Sequence, residues 1–219
     1  MELEDFDIGA KIGAGTFGII RRAIEKKTQK EFVLKMIDKT LIQSLEHANH
    51  IVREKNILMY LSKPQNNNQF IVQAQNAFHD ALGVYIQMNF VRGCNLFNRI
   101  RANEIRIKNN MHFYSAEVLC AIEHLHSHKI VYRDLKSEHV MIDNEGHCKL
   151  VDFGFAKRFG SRDIKKNQLR TFTNCGTPDY IAPEVLRGVG ASFEADIWSL
   201  GVLVCEIISG KTPFHHDNP

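Results

Sequence analysis

Two aspartates and two lysines stand in this sequence at spacings that suit chemistry on phosphate. Asp134 lies in "VYRDLKSEHVMID", residues 131–143, with Lys136 two positions on. Asp152 follows eighteen residues after Asp134 and opens Asp152-Phe153-Gly154. Between them "HVMID" and "HCKLVD" read as a short strand pair joined by a turn at Asn144-Glu145-Gly146, a geometry that can bring both carboxylates to one cleft. There Asp134 would accept the proton of an attacking hydroxyl, or orient it. Asp152 would hold magnesium against phosphate oxygens, and Lys136 would neutralise charge on the group in flight.

Lys35 lies in "FVLKMI", seventeen residues after Gly18. Flanked by Val33, Leu34 and Met36, it needs an anionic partner if it points inward. Phosphates would supply one, and Glu54 on a following helix would orient the ammonium. Taken singly, both residues are equally well explained as solvated surface charges. The glycines of Gly13-Ala14-Gly15-Thr16-Phe17-Gly18 have two readings. A glycine turn running into a helix would open a dinucleotide-binding unit. A glycine turn running into a strand is a hairpin lid over phosphates, where a backbone without Cβ approaches the oxygens closely.

The elements that must position these residues are legible in the periodicity. Phe6, Ile8, Ala10 and Ile12 alternate with polar or small residues as in a half-buried strand, and Ile20, Arg22 and Ile24 continue in extended style. "EFVLKMI" is a third strand and "VYIQMNFV" another. Ile51, Glu54, Ile57, Leu58 and Leu61 share one side of a helix. "RGCN" reads as a break, after which Tyr114, Val118, Ala121, Ile122 and Leu125 form a broad apolar helical stripe. Strands first and helices afterwards imply an α+β, two-lobed plan, divided into residues 1–90 and 91–219.

Composition limits the classes. The charge of +3 is small and evenly spread, which argues against a nucleic-acid partner. Five scattered cysteines with no C-x-x-C pair read as reduced thiols, and "MELEDF" lacks the blocks of a signal peptide. The longest apolar stretch, residues 197–208, is too short to span a bilayer and suits a buried central helix. The expectation is a cytoplasmic protein with no membrane span. His124, His126 and His128 read as a polar helix end rather than a metal cluster.

The ordered set GAGTFG, VLK, a helix glutamate, YRDLK, DFG, APE and D-x-W-S-x-G resembles a eukaryotic protein kinase domain along essentially all 219 residues. Tyr132, "DFGFAKRFG" and "TFTNCGTPDYIAPE" look like the AGC-type, cyclic-nucleotide-dependent serine/threonine kinases, with the cGMP-dependent branch nearest.

The resemblance implies ATP as phosphate donor and Mg2+, with Mn2+ as a substitute. It assigns the nucleotide to Ile12, Gly13, Ala14, Gly15, Thr16, Phe17, Gly18, Ile20, Val33, Lys35, Met88, Asn89, Val91 and Met141, with adenine between Ile12, Ile20, Val33 and Met141. Met88 would be the gatekeeper before a hinge at residues 89–91. Thr173 matches the activation-segment threonine whose phosphate pairs with Arg133. Thr177 would bridge Asp134 and Lys136, Asp196 would tie down the catalytic-loop backbone, and Trp198 would pack in the core. Glu138 and Glu206 match positions that bind arginine upstream of the target hydroxyl. The expected partner is therefore a protein substrate with basic residues before a serine or threonine. A cyclic-nucleotide-binding regulatory domain in a longer gene product is a further expected partner.

Three departures qualify the resemblance. His139 stands where the signature has an asparagine that holds magnesium. Magnesium prefers oxygen, whereas imidazole suits softer transition metals. Asn95 replaces a glutamate usual near ribose and peptide. The chain stops at "KTPFHHDNP", where the family fold continues, so a fragment with an incomplete helical lobe and exposed apolar surface is expected. Two functions follow: a serine/threonine protein kinase, or a pseudokinase, a nucleotide-binding or scaffold module in which His139 has ended transfer. A dinucleotide-dependent oxidoreductase is the third reading.

Overall fold

The computed structural model describes residues 1–15, 18–165, 168–173 and 175–215. Thr16 and Phe17, both assigned to the nucleotide above, lie outside the described residues. The architecture is α+β and divides into two compact units, one of Met1–Val91 with Asp152–Gly154, the other of Arg92–Val151 with Phe155–Pro219.

In the first unit β1 (Phe6–Gly15), β2 (Gly18–Glu25), β3 (Glu31–Asp38), β4 (Ala74–His79) and β5 (Gly83–Asn89) form an antiparallel sheet in the order β1-β2-β3-β5-β4. A strand follows the glycine turn, with Gly15 opposite Gly18, and this removes the dinucleotide-binding reading. Gly18 has to be glycine, because a Cβ there would lie 2.4 Å from the Met36 carbonyl oxygen on β3. Phe6, Ala23 and Leu34 form a small apolar core, and Phe78 stacks on Phe6 with centroids 5.9 Å apart. Helix α1 (Leu45–Leu61) starts at Ser44, whose hydroxyl accepts from the His47 amide at 3.1 Å. It buries Ile51, Glu54, Ile57, Leu58 and Leu61, the stripe read from the sequence.

The second unit opens with β6 (Gly93–Asn95), in the segment expected to be a break, which pairs with β8 (Val140–Asp143). Three residues are too few to show alternation. Asn95 Oδ1 accepts from the Asn98 amide at 2.9 Å and so caps α2 (Leu96–Arg101). Next come α3 (Ile105–Asn109), α4 (Met111–Ser127) and β7 (Ile130–Val131). β9 (Cys148–Leu150) completes the expected hairpin with β8, and the Asp143 carboxylate caps its turn from the Glu145 and His147 amides. β10 (Lys157–Arg158) pairs with β7. α5 (Ser161–Lys165), α6 (Pro183–Leu186) and α7 (Phe193–Ser209) follow. α7 packs on α4 and ends at Gly210 with φ +78°, a left-handed stop that glycine adopts without penalty.

One core assignment is overturned. Trp198 is 37 % exposed and stacks on Phe214, with ring planes 9° apart. An apolar run of helical length is wide enough to leave one side open, here Ile197, Trp198 and Ile208. Among the described residues no helix is long and apolar enough to cross a membrane.

Candidate active site

In the first unit the site is built on β3. Ile20 on β2 and Ile86 on β5 flank Lys35 in register, which leaves the lysine 2 % exposed. Its ammonium donates to Glu54 Oε1 at 2.5 Å and to Asp152 Oδ1 at 3.3 Å. Burial alone would push Lys35 down, but the two carboxylates outweigh it and hold the lysine above its usual value. Burial pushes Glu54 up, against the pull of Lys35. Asp152 sits at φ +56°, a left-handed conformation that aspartate tolerates, and its Oδ1 also accepts from the Gly154 amide at 3.0 Å. A Cβ on Gly15 would lie 3.4 Å from Lys35 Cε and 3.6 Å from Asp152 Oδ2, so the described end of the glycine turn reaches this ion triad.

The residues assigned to adenine are spread over the same sheet. Val33 and Met88 are cross-strand partners and nearly buried, Ile20 is half-buried opposite Gly13, and Ile12 is exposed. Ala14 and Asn89 are exposed and Val91 half-buried. Met141 belongs to the second unit, half-buried on β8.

In the second unit the site hangs from Asp196 on α7, which is fully buried. Its two carboxylate oxygens accept from the Arg133 amide at 2.8 Å and the Tyr132 amide at 2.9 Å. His126 Nε2 lies 2.8 Å from the same carboxylate, so this histidine is a structural partner and not a solvated helix end. Arg133 is thereby held at φ +70°. Next to it Asp134, 6 % exposed, is surrounded by Lys136, His139 and Thr177. Lys136 Nζ stands 3.4 Å from Oδ2. The Thr177 hydroxyl donates to Oδ1 at 3.2 Å and accepts from Lys136 Nζ at 2.8 Å. A hydroxyl both gives and takes a hydrogen bond, so one threonine can bridge an anion and a cation. His139 Nδ1 lies 3.0 Å from the Asp134 carbonyl oxygen and 3.4 Å from Oδ2.

Arg133 Nη1 donates to Thr171 Oγ1 at 3.1 Å, and half-buried Thr173 lies two residues further on. Thr171 was missed because nothing in the sequence distinguishes it from any other loop threonine. Glu206, expected at an open peptide surface, is 2 % exposed and accepts from the Tyr180 hydroxyl, which is held well above the ordinary tyrosine range, chiefly by burial. Glu138 is half-buried beside the Ser137 hydroxyl at 3.4 Å.

The donor chemistry fits a hard cation at one residue and not at the other. Asp152 offers carboxylate oxygen, oriented by Lys35 and Gly154, as magnesium requires. At position 139 an imidazole replaces oxygen, and this does not suit magnesium.

Residues 6–219 match the family described as Protein kinase domain. The chain is 41 % identical over 217 residues to the human cAMP-dependent protein kinase catalytic subunit PRKX, covering 99 % of this chain and 57 % of that protein. It is 39 % identical over 218 residues to the serine/threonine protein kinase ypkA of Aspergillus fumigatus, covering 100 % of this chain and 33 % of the other. A cAMP-dependent protein kinase catalytic subunit of Dictyostelium discoideum is 38 % identical over 216 residues, covering 99 % and 31 %. The chain thus spans only part of the length of these relatives. A single family accounts for a strand lysine paired with a helix glutamate, a left-handed aspartate before Phe-Gly, and a loop aspartate bridged to lysine by threonine. The chain belongs to the protein kinase domain family.

Proposed function

We propose that the chain is the phosphotransferase domain of a serine/threonine protein kinase, moving the γ-phosphate of ATP to a hydroxyl of a protein substrate. The observation that carries this is the Asp134–Thr177–Lys136 bridge, in which a carboxylate is held by a hydroxyl and an ammonium of its own unit. Asp134 orients the substrate hydroxyl and takes its proton, and Lys136 stabilises the charge that grows on the transferred group. Lys35, aimed by Glu54, binds phosphate oxygens beneath Gly13, Gly15 and Gly18. Ile12, Ile20, Val33 and Met88 receive the base, with backbone bonds from residues 89–91. Asp152 would hold magnesium through its carboxylate oxygens, and the ion would supply charge neutralisation at the triphosphate; the imidazole of His139 is a poor donor for it.

Phosphate on Thr173 would meet the Arg133 guanidinium. Glu138 is the better placed of the two proposed acids to receive an arginine of the substrate, since Glu206 is engaged by Tyr180. The human and Dictyostelium relatives, both cAMP-dependent protein kinase catalytic subunits, support a cyclic-nucleotide-dependent type. Within it the cGMP-dependent branch is our reading of Tyr132 and "DFGFAKRFG" alone, as is a cyclic-nucleotide-binding domain in a longer product. We also place the protein in the cytoplasm. The test is transfer of labelled γ-phosphate to a serine peptide with upstream arginines, compared with the same peptide carrying alanines. Preferential labelling of the basic peptide supports the proposal, and labelling of neither refutes it.

A further inference from the structure

The loop that carries Thr173 is anchored by the threonine two residues before it. Thr171 is 3 % exposed and exchanges both backbone hydrogen bonds with Ala191, at 2.9 and 2.8 Å. The neighbouring Gly190 secures this bridge. Its φ is +91°, and a Cβ on it would lie 2.9 Å from the Phe172 ring and 3.1 Å from the Thr171 carbonyl oxygen. Arg170 Nη1 donates to the Gly190 carbonyl at 3.1 Å. From this fixed point the Thr171 hydroxyl accepts from Arg133 Nη1 at 3.1 Å, while Arg133 Nε donates to the Phe155 carbonyl at 2.7 Å. Arg133 and Thr173 line one small cavity of about 20 Å³, room for a single water.

We propose that Thr171 is a positioning residue whose hydroxyl orients Arg133 before Thr173 carries a phosphate. The guanidinium of a buried arginine requires hydrogen-bond partners, and Thr171 and Phe155 are among those that Arg133 has in the unphosphorylated chain. Arg133 adjoins Asp134 in the chain, so ordering its side chain orders the catalytic carboxylate as well. A phosphate arriving at Thr173 then meets an arginine already aimed, and less ordering entropy is lost. This inference rests on the kinase reading and on Thr173 as the modified residue.

Thr171→Val removes the hydroxyl at nearly constant volume, and Thr171→Ser keeps it. Each variant and the parent are prepared with Thr173 plain and with phosphothreonine encoded at 173. Peptide phosphorylation and amide hydrogen exchange over residues 132–135 are measured on the same samples. The valine variant should lose about tenfold in kcat/KM when unphosphorylated, the size of one hydrogen bond to a charged group. It should also exchange faster over those residues, and phosphate at 173 should bring both readouts back to within about twofold of the parent. The serine variant should follow the parent throughout. Equal losses with and without phosphate, equal behaviour of valine and serine, or no change overturns the inference. If the parent transfers no phosphate, the kinase reading fails, and the exchange difference between valine and serine still decides the role of Thr171.

Discussion

His139 Nδ1 lies 3.0 Å from the carbonyl oxygen of Asp134 and 3.4 Å from its carboxylate. The residue that departs from the family signature is therefore built into the catalytic loop. A ring nitrogen beside a carbonyl donates to it, so the imidazole braces the backbone that presents Asp134. The two are five positions apart, and the brace closes a single turn of chain. What the substitution changes is the donor atom available to a cation.

Lys35 and Glu54 form a buried ion pair whose separation is costly. Lys35→Met leaves a carboxylate that is 1 % exposed beside Asp152 without its cation. Denaturant unfolding should show a loss of about 3–5 kcal/mol, and much of it should return in Lys35→Met with Glu54→Leu, which replaces both charges by apolar groups. Equal instability of the single and double variants would contradict the pairing.

Asp196 accepts two backbone hydrogen bonds and one contact from His126 while fully buried. Asp196→Asn turns an N–H group toward at least one backbone N–H, so two donors face each other. The expected cost is about 3 kcal/mol in unfolding free energy. Phosphotransfer should fall as well, because Tyr132 and Arg133 lose the anchor that sets the loop.

Thr177→Val tests the bridge between Asp134 and Lys136 without emptying space. The melting temperature should stay close to the parent's, since Thr177 is half-buried. kcat should fall by on the order of a hundredfold through misplacement of the two groups. A kcat within twofold of the parent's, on the scale of about twofold noise, would remove Thr177 from the site.

His147 offers a stability change with a defined sign. Its Nδ1 lies 2.5 Å from Glu117 Oε1 on α4, and that hydrogen bond, aided by the charge of Glu117, raises the histidine above its usual 6.5. A raised folded value means that the stabilisation is fully present below pH 6.5 and is lost as pH rises through the folded value. Melting curves of the parent and His147→Gln should therefore converge on going from acid to alkaline buffer. A gap that widens with rising pH would contradict the pairing.

What could be read from the sequence depended on how local the signal was. Lys35 stood out because an ammonium inside Val33-Leu34 and Met36 needs a partner, and α1 and α4 declared themselves by stripes of four and five apolar residues. Elements without a period stayed hidden: β6 has three residues, and Asn95 looked like a lost glutamate before its role as a cap was visible. Partners far apart in the chain were equally hidden. His126 meets Asp196 across seventy positions and Arg133 meets Thr171 across 38, and neither pairing has a spacing rule. Trp198 misled because a hydrophobic helix reads as buried all round, whereas α7 keeps one face open.

We propose that this domain transfers phosphate with a catalytic loop braced by His139. The most direct measurement is γ-phosphate transfer to a basic serine peptide by the parent and by His139→Asn, in magnesium and then in manganese, using protein that melts cooperatively. The parent should transfer phosphate in both metals, faster in manganese, and His139→Asn should raise the rate in magnesium by roughly tenfold, since asparagine restores oxygen. Silence of the parent in both metals, with activity appearing only in His139→Asn, would contradict it and make the domain a pseudokinase disabled at this one residue.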